Sequence, residues 1–246
     1  MPALQRQRKN SVGRQALKGG AAVIPNPQIP LRILYEDPYL LAVDKAPGLP
    51  CHPLRSGESQ TLANAVVARF PQQAHLNPAR EAGLVHRLDN DTSGVILFAR
   101  DAETLQKARA LSQGGQMRKI YLARVEGRLQ GRGFIDFPIA HHPKSSKKMI
   151  VAKNPAQAKK WAARDAETRY QALRLEASVT LLRVEIKVGS RHQIRVHLAA
   201  LGHPLLGDKL YGAKQTASRL YLHASEIILP HPRSGKKLRI RSPAPF

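Results

Sequence analysis

Two segments of this 246-residue chain concentrate side chains able to do chemistry. The first is Gly83-Leu-Val-His-Arg-Leu-Asp-Asn-Asp-Thr-Ser-Gly94, a polar stretch set between two apolar runs. Asp89, Asp91, Thr92 and Ser93 carry short side chains that bond backbone groups, so the stretch reads as a turn. A carboxylate held there can serve as a nucleophile or a general base. A purely structural turn would use the same residue types. The second segment is Gly189-Ser-Arg-His-Gln-Ile-Arg-Val-His197. It falls where a strand passes into a helix, and a helix N-terminus carrying arginines is an anion site. A solvated basic helix end has the same composition. A kinase reading of His86-Arg87 is poor, because the glycine-rich loop and the Asp-Phe-Gly triplet are missing and the aspartate comes one place late. The histidines lack the spacing of a metal site.

The elements that must position these segments read as follows. Ile33–Tyr35 and Tyr39–Asp44 are short strands around the turn Glu36-Asp37-Pro38, followed by a proline-stiffened loop from Lys45 to Pro50. Ser59 is placed to cap a helix in which Leu62, Ala65, Val66 and Phe70 share one face, stopped by Pro71. Val95–Ala99 is a wholly apolar strand. Asp101 is an N-cap for a helix with Leu105, Ala108 and Leu111 inward, ended by Gly114-Gly115. Lys119–Val125 is a strand. Leu182, Val184, Ile186 and Val188 alternate with polar residues, as in a half-buried strand. Ile194, Leu198 and Leu201 share a helical face that Gly202 terminates. Leu220–Leu229 and Lys237–Ile240 are further strands. Strands outnumber helices without alternating with them, which implies an α+β domain on a mixed, largely antiparallel sheet with flanking helices.

Forty Lys and Arg against seventeen Asp and Glu give a net charge of +23. Such an excess calls for an anionic partner, and nucleic acid fits best because each phosphate contact releases counterions. No basic amphipathic helix with a bulky apolar face suggests a membrane surface. No run approaches the ~20 apolar residues of a membrane span. The basic segment 1–30, which lacks a secretory core, reads as a flexible tail ahead of a domain spanning 31–246, and a cytoplasmic address is expected. A second acid-free region runs from Pro138 to Arg164 and holds Lys144, Lys147, Lys148, Lys153, Lys159 and Lys160. The single cysteine, Cys51, reads as a buried inert thiol.

Taken together, the segments resemble the RluA family of RNA pseudouridine synthases. His86-Arg87-Leu88-Asp89 with Thr92-Ser93-Gly94 is similar to that family's catalytic motif. Lys119-Ile-Tyr121-Leu-Ala-Arg-Val-Glu-Gly127 is similar to its second. His192-Gln-Ile-Arg-Val-His197, with Gly202-His-Pro-Leu-Leu-Gly-Asp-Lys-Leu-Tyr-Gly212, is similar to its third. Leu222-His223-Ala224 resembles the closing motif, and the resemblance runs from about Leu31 to Pro232.

The resemblance implies an isomerase that converts uridine in structured RNA, ribosomal or transfer, to pseudouridine, with neither metal nor other cofactor. Asp89 would be the catalytic carboxylate. Tyr121 would stack on the uracil and help remove the ring proton, and Leu222 would be the apolar floor under the base. His86 and Arg87 would support a flipped-out nucleotide. The thirty residues before Leu31 are too few for the extra N-terminal RNA-binding domain that some members carry, and a monomer is expected. As aligned, Ser190 occupies the place of a family arginine, so Arg191 is expected to supply the cation beside Asp89, with Arg195 and Arg87 as rivals. A noncatalytic RNA-binding or ribosome-assembly protein on the same scaffold, and a nuclease using His86 and Asp89, are the alternatives.

Overall fold

The computed structural model describes residues 23–76 and 80–246, so most of the basic tail lies outside the described residues. The described part begins ahead of Leu31. Val23 is buried against Ala63, Val67 and Ala82, and Asn64 Nδ2 donates to the carbonyl of Ile24 at 2.6 Å. Strands β1 (Arg32–Glu36) and β2 (Leu40–Lys45) form a hairpin around Asp37. Its Oδ1 accepts from the backbone N–H groups of Tyr39 and Leu40, each at 2.7 Å, which locks the turn.

Helix α1 (Leu62–Arg69) is capped by Thr61 rather than Ser59. Asn64, three residues on, reaches back to accept from the Thr61 N–H at 3.0 Å, and this closes a capping box that Ser59 has no partner to form. Strand β3 (Ser93–Ala99) leads into α2 (Ala102–Gln113), whose N-cap Asp101 accepts from Thr104 N at 2.8 Å, as the sequence implied.

The chain continues through β4 (Arg118–Glu126), β5 (Arg132–Ile135), the short strands β6 (Ile139–His141) and β7 (Met149–Val151), and α3 (Pro155–Lys160). Strands β8 (Thr168–Leu175) and β9 (Val179–Ile186), helix α4 (Gln193–Ala200), and strands β10 (Leu222–Pro230) and β11 (Lys237–Arg241) complete it. Strand β9 stops at Ile186, and Val188 is exposed beyond it. Gly202 has φ +85°, the left-handed conformation that ends a helix.

Among the described residues the main sheet has nine strands in the order β1-β2-β3-β10-β4-β9-β8-β5, with β11 on β10. All its pairs are antiparallel except β3 with β10. The α+β class with a mixed, largely antiparallel sheet is therefore the one expected. Gly94 makes the parallel join possible. A Cβ there would lie 2.2 Å from the carbonyl oxygen of Ala224, and its φ of +112° suits glycine alone. From Val95 onward β3 is wholly apolar because it feeds two cores. Ile96 and Phe98 pack on one face with Leu41, Val43, Leu182 and Val184, while Val95, Leu97 and Ala99 pack on the other with Ala108 and Met117.

Candidate active site

Asp89 lies in the loop that leads into β3. The residues before it run back along that strand, with Val85 N donating to Leu97 O at 2.9 Å and Ala99 N to Gly83 O at 2.7 Å. The turn closes through Thr92 N to Asp89 O at 3.1 Å. Both neighbours of Asp89 are anchored by distant residues. Cys51 Sγ donates to Leu88 O at 3.2 Å and accepts from Leu88 N at 3.4 Å. Lys45, at the end of β2, is wholly buried, and its Nζ donates to the carbonyls of Asn90, Leu49 and Ala46 at 2.7–2.8 Å. Burial pulls the Lys45 amine down to about 8, against the pull of the Cys51, Asp91 and Asp89 side chains. The thiol is thus buried as expected, and it also ties the loop to the proline-stiffened segment.

The cation beside Asp89 is Arg195. Its Nη1 donates to Asp89 Oδ2 at 3.1 Å, while Nε and Nη2 grip both oxygens of Asp208 at 2.7 and 2.9 Å. Burial disfavours the charged guanidinium, but its bonds to Asp208 and Asp89 outweigh this and hold its pKa above the ordinary arginine value. Arg191 does not fill this role. It is exposed and donates to the carbonyls of Ser146 and Lys147 at 3.2 and 3.4 Å. Strand alternation would aim residue 191 away from the site, and the expectation needed a bulge at Gly189 to re-aim it; β9 ends at Ile186, so no strand ladder is there for a bulge to interrupt. His192, with φ +53°, starts the helix instead, and Arg195 lies within its first turn.

Asp89, Arg195, Tyr121 and Leu222 line one open cleft of about 1940 Å³. Tyr121 is on β4 and Leu222 on β10, adjacent strands that pair Tyr121 with Ala224 and Leu222 with Ala123. Both side chains are buried. Burial, and then the Asp89 charge, push the Tyr121 phenol well above its usual pKa, so it is protonated at neutral pH. His86 also borders the cleft, but its Nε2 accepts from Leu97 N at 3.3 Å and so holds β3. Burial, aided by Lys119, pulls its pKa to about 3 and leaves a neutral ring. Arg87 is exposed on the cleft. Asp208, fully buried, was not singled out by the sequence reading. Its signal was a carboxylate inside an otherwise apolar and basic stretch. Gly207 allows that turn, since a Cβ there would lie 2.0 Å from the carbonyl oxygen of Arg219.

Among the described residues, no group of three or more His, Cys, Asp and Glu side chains could hold a metal ion. No helix there is long and apolar enough to cross a membrane.

Fold and site together define a class: basic α+β proteins on one large mixed sheet, with an aspartate–arginine pair at the mouth of a cleft floored by sheet residues. Residues 39–200 match the RNA pseudouridylate synthase family, and the chain belongs to that family. It is 39% identical over 228 residues to ribosomal large subunit pseudouridine synthase D of Nitrosomonas europaea, covering 88% of this chain and 63% of that protein. It is 38% identical to an uncharacterised RNA pseudouridine synthase of Chloroflexus aurantiacus, covering 82% and 62%. The chain thus spans less than two thirds of the length of these two relatives. Among solved structures, human RNA pseudouridylate synthase domain containing 1 superposes with a TM-score of 0.71 at 25% identity, covering 88% of this chain and 84% of that one.

Proposed function

We propose that the protein isomerises specific uridines in structured RNA to pseudouridine, with Asp89 as the catalytic carboxylate acting on a flipped-out nucleotide. The observation that carries this reading is the Asp89–Arg195–Asp208 arrangement opening onto Tyr121 and Leu222 in one cleft. In the reaction the bond from the sugar to uracil N1 breaks, the base turns, and its C5 bonds to the same sugar carbon. C5 loses a proton and N1 gains one, so substrate and product are isomers, and no oxidant, reductant or water is consumed. That balance is why we expect no cofactor. As the glycosidic bond breaks, positive charge grows on the sugar, and a carboxylate beside it stabilises that charge or captures it as a nucleophile.

Tyr121 and Leu222 offer a ring and an apolar surface for the base. A phenol held protonated can take the C5 proton only by passing its own onward, whereas stacking demands nothing of its hydroxyl. Arg87, exposed on the cleft, would contact the backbone or prop the vacated position in the RNA.

RNA would be held largely through its phosphates. The acid-free stretch folds as the β6–β7 hairpin and α3, and the hairpin loop carries Lys144, Lys147 and Lys148, with Lys147 reaching the cleft. Such contacts supply affinity and register rather than base recognition. The name of the Nitrosomonas relative favours ribosomal over transfer RNA as the substrate class. Action as a monomer in the cytoplasm completes the reading.

The test is release of the C5 hydrogen isotope from labelled RNA, with pseudouridine mapping in cells carrying and lacking the gene. Asp89→Asn keeps the shape and removes the charge, so single-turnover rates should fall by at least about a thousandfold with RNA affinity unchanged. Retention of more than about a tenth of the wild-type rate would sink the assignment. Shortened RNA would mean a nuclease, and binding without isotope release a noncatalytic protein.

A further inference from the structure

Tyr211 joins three parts of the molecule. Its hydroxyl accepts from the backbone N–H of Met149, on β7 of the basic hairpin, at 2.8 Å. The same hydroxyl lies 2.9 Å from Nδ1 of His192. Its ring lies against the Arg195 guanidinium, 5.3 Å from ring centroid to guanidinium carbon, and meets the His192 ring nearly at right angles. His192 presents its other nitrogen to the site, with Nε2 4.0 Å from Asp89 Oδ1. Its side chain is only 10% exposed. The two oxygens of Asp89 therefore face different groups: Oδ2 takes Arg195, and Oδ1 faces the imidazole.

The proton positions follow from satisfying every donor. The Tyr211 oxygen already accepts from Met149, so its own proton needs an acceptor, and His192 Nδ1 is within reach. If Nδ1 carried the proton instead, the tyrosine hydroxyl proton would be left without that partner. The negative charge of Asp89 favours the same answer, because it draws the imidazole proton to Nε2. At 4.0 Å the His192–Asp89 contact is too long for a hydrogen bond, so the Nε2–H remains available to a ligand atom seated between them.

We propose that His192 is a substrate-binding donor at the reacting centre, its Nε2–H held for an oxygen of the nucleoside that sits against Asp89, and that Tyr211 is the positioning residue that fixes this tautomer and ties it to the basic hairpin. This rests on the function proposed above. The carboxylates of Asp89 and Asp208 and the guanidiniums of Arg195 and Arg191 all face the ring. Burial outweighs the carboxylates and lowers its pKa, so His192 is neutral at neutral pH and has one proton to place. His192 opens α4 in the left-handed region, which histidine, like asparagine and aspartate, adopts more readily than other residues with a Cβ, and its ring faces Asp89.

Two measurements test this on the full chain. The first is long-range nitrogen–proton correlation spectroscopy of histidine side chains without RNA. It should find His192 as the Nε2–H form, and Tyr211→Phe, which keeps the ring on Arg195, should weaken that preference and leave only the pull of Asp89. A wild-type Nδ1–H form would overturn the proposal, whether or not the protein proves to be a synthase. The second is a kinetic contrast. A glutamine amide reaches roughly where Nε2 lies, whereas an asparagine amide mimics Nδ1. His192→Gln should keep isomerisation within about threefold of wild type, and His192→Asn should lose at least about tenfold in kcat. A role confined to the left-handed backbone predicts the reverse order, because asparagine tolerates that conformation better. The reverse order, or equal activity in both variants, would overturn the proposal. Absence of isomerisation in the wild type would instead reject the proposed function and leave the tautomer result to decide the geometry.

Discussion

Arg195→Met removes three bonds at once, two to Asp208 and one to Asp89, and leaves both carboxylates without the guanidinium they share. Unit charges about 4 Å apart attract by about 4 kcal/mol at the effective dielectric of such sites. Breaking a buried pair from one side costs about 3–5 kcal/mol. The Asp208 side chain is 0% exposed and that of Arg195 9%, so little solvent screening reduces this figure. In a domain of this size the loss corresponds to a fall in Tm of roughly 6–20 °C. Adding Asp208→Asn removes the stranded buried charge while keeping an acceptor for Leu210 N, so the double variant should regain most of the stability. It should not regain turnover, because Asp89 still lacks its cation, and we expect at least about a hundredfold deficit in both variants. Urea unfolding and single-turnover isotope release are the assays. The reasoning fails if Arg195→Met loses under about 1 kcal/mol, or if the double variant turns over like the wild type.

Tyr121→Phe should slow isomerisation by more than about tenfold with RNA binding intact, and full activity there would confine Tyr121 to stacking. Gly94→Ala should destabilise the fold by at least about 2 kcal/mol in urea unfolding, since it combines a backbone clash with Ala224 and a conformation closed to alanine. For Lys45 the folded pKa, about 8, lies below the ordinary 10.5, so the unfolded chain binds more protons between these values. Its contribution to stability should therefore rise by about 3 kcal/mol as pH climbs from about 8 to 10.5. Unfolding of wild type and Lys45→Met across that range should reveal the difference, and parallel pH profiles would contradict it.

Local pattern alone determined much of this protein. The alternation of Leu182, Val184 and Ile186, the Asp101 cap, the Gly202 stop and the all-apolar run from Val95 to Ala99 each depend on a few neighbouring residues, and each is found where the pattern put it. The same holds for Asp89, whose loop was legible from its turn-forming neighbours. Partners across the site were not legible, because they are set by where distant segments meet. Lys45 and Cys51 hold the loop from 45 and 37 residues away, and neither contact follows from any spacing. Thr61 displaced Ser59 as cap because Asn64 was there to answer it. The choice of Arg195 over Arg191 turned on two tertiary facts: β9 ends at Ile186, and His192 opens the helix in a left-handed conformation. A side chain's direction follows its backbone, and no strand at residue 191 sets the direction of Arg191. Asp208, thirteen residues beyond Arg195, then fixes the guanidinium from the other side. Sequence carried the chemistry of the groups, and only the packing of β3, β4, β10 and α4 decided which of them meet.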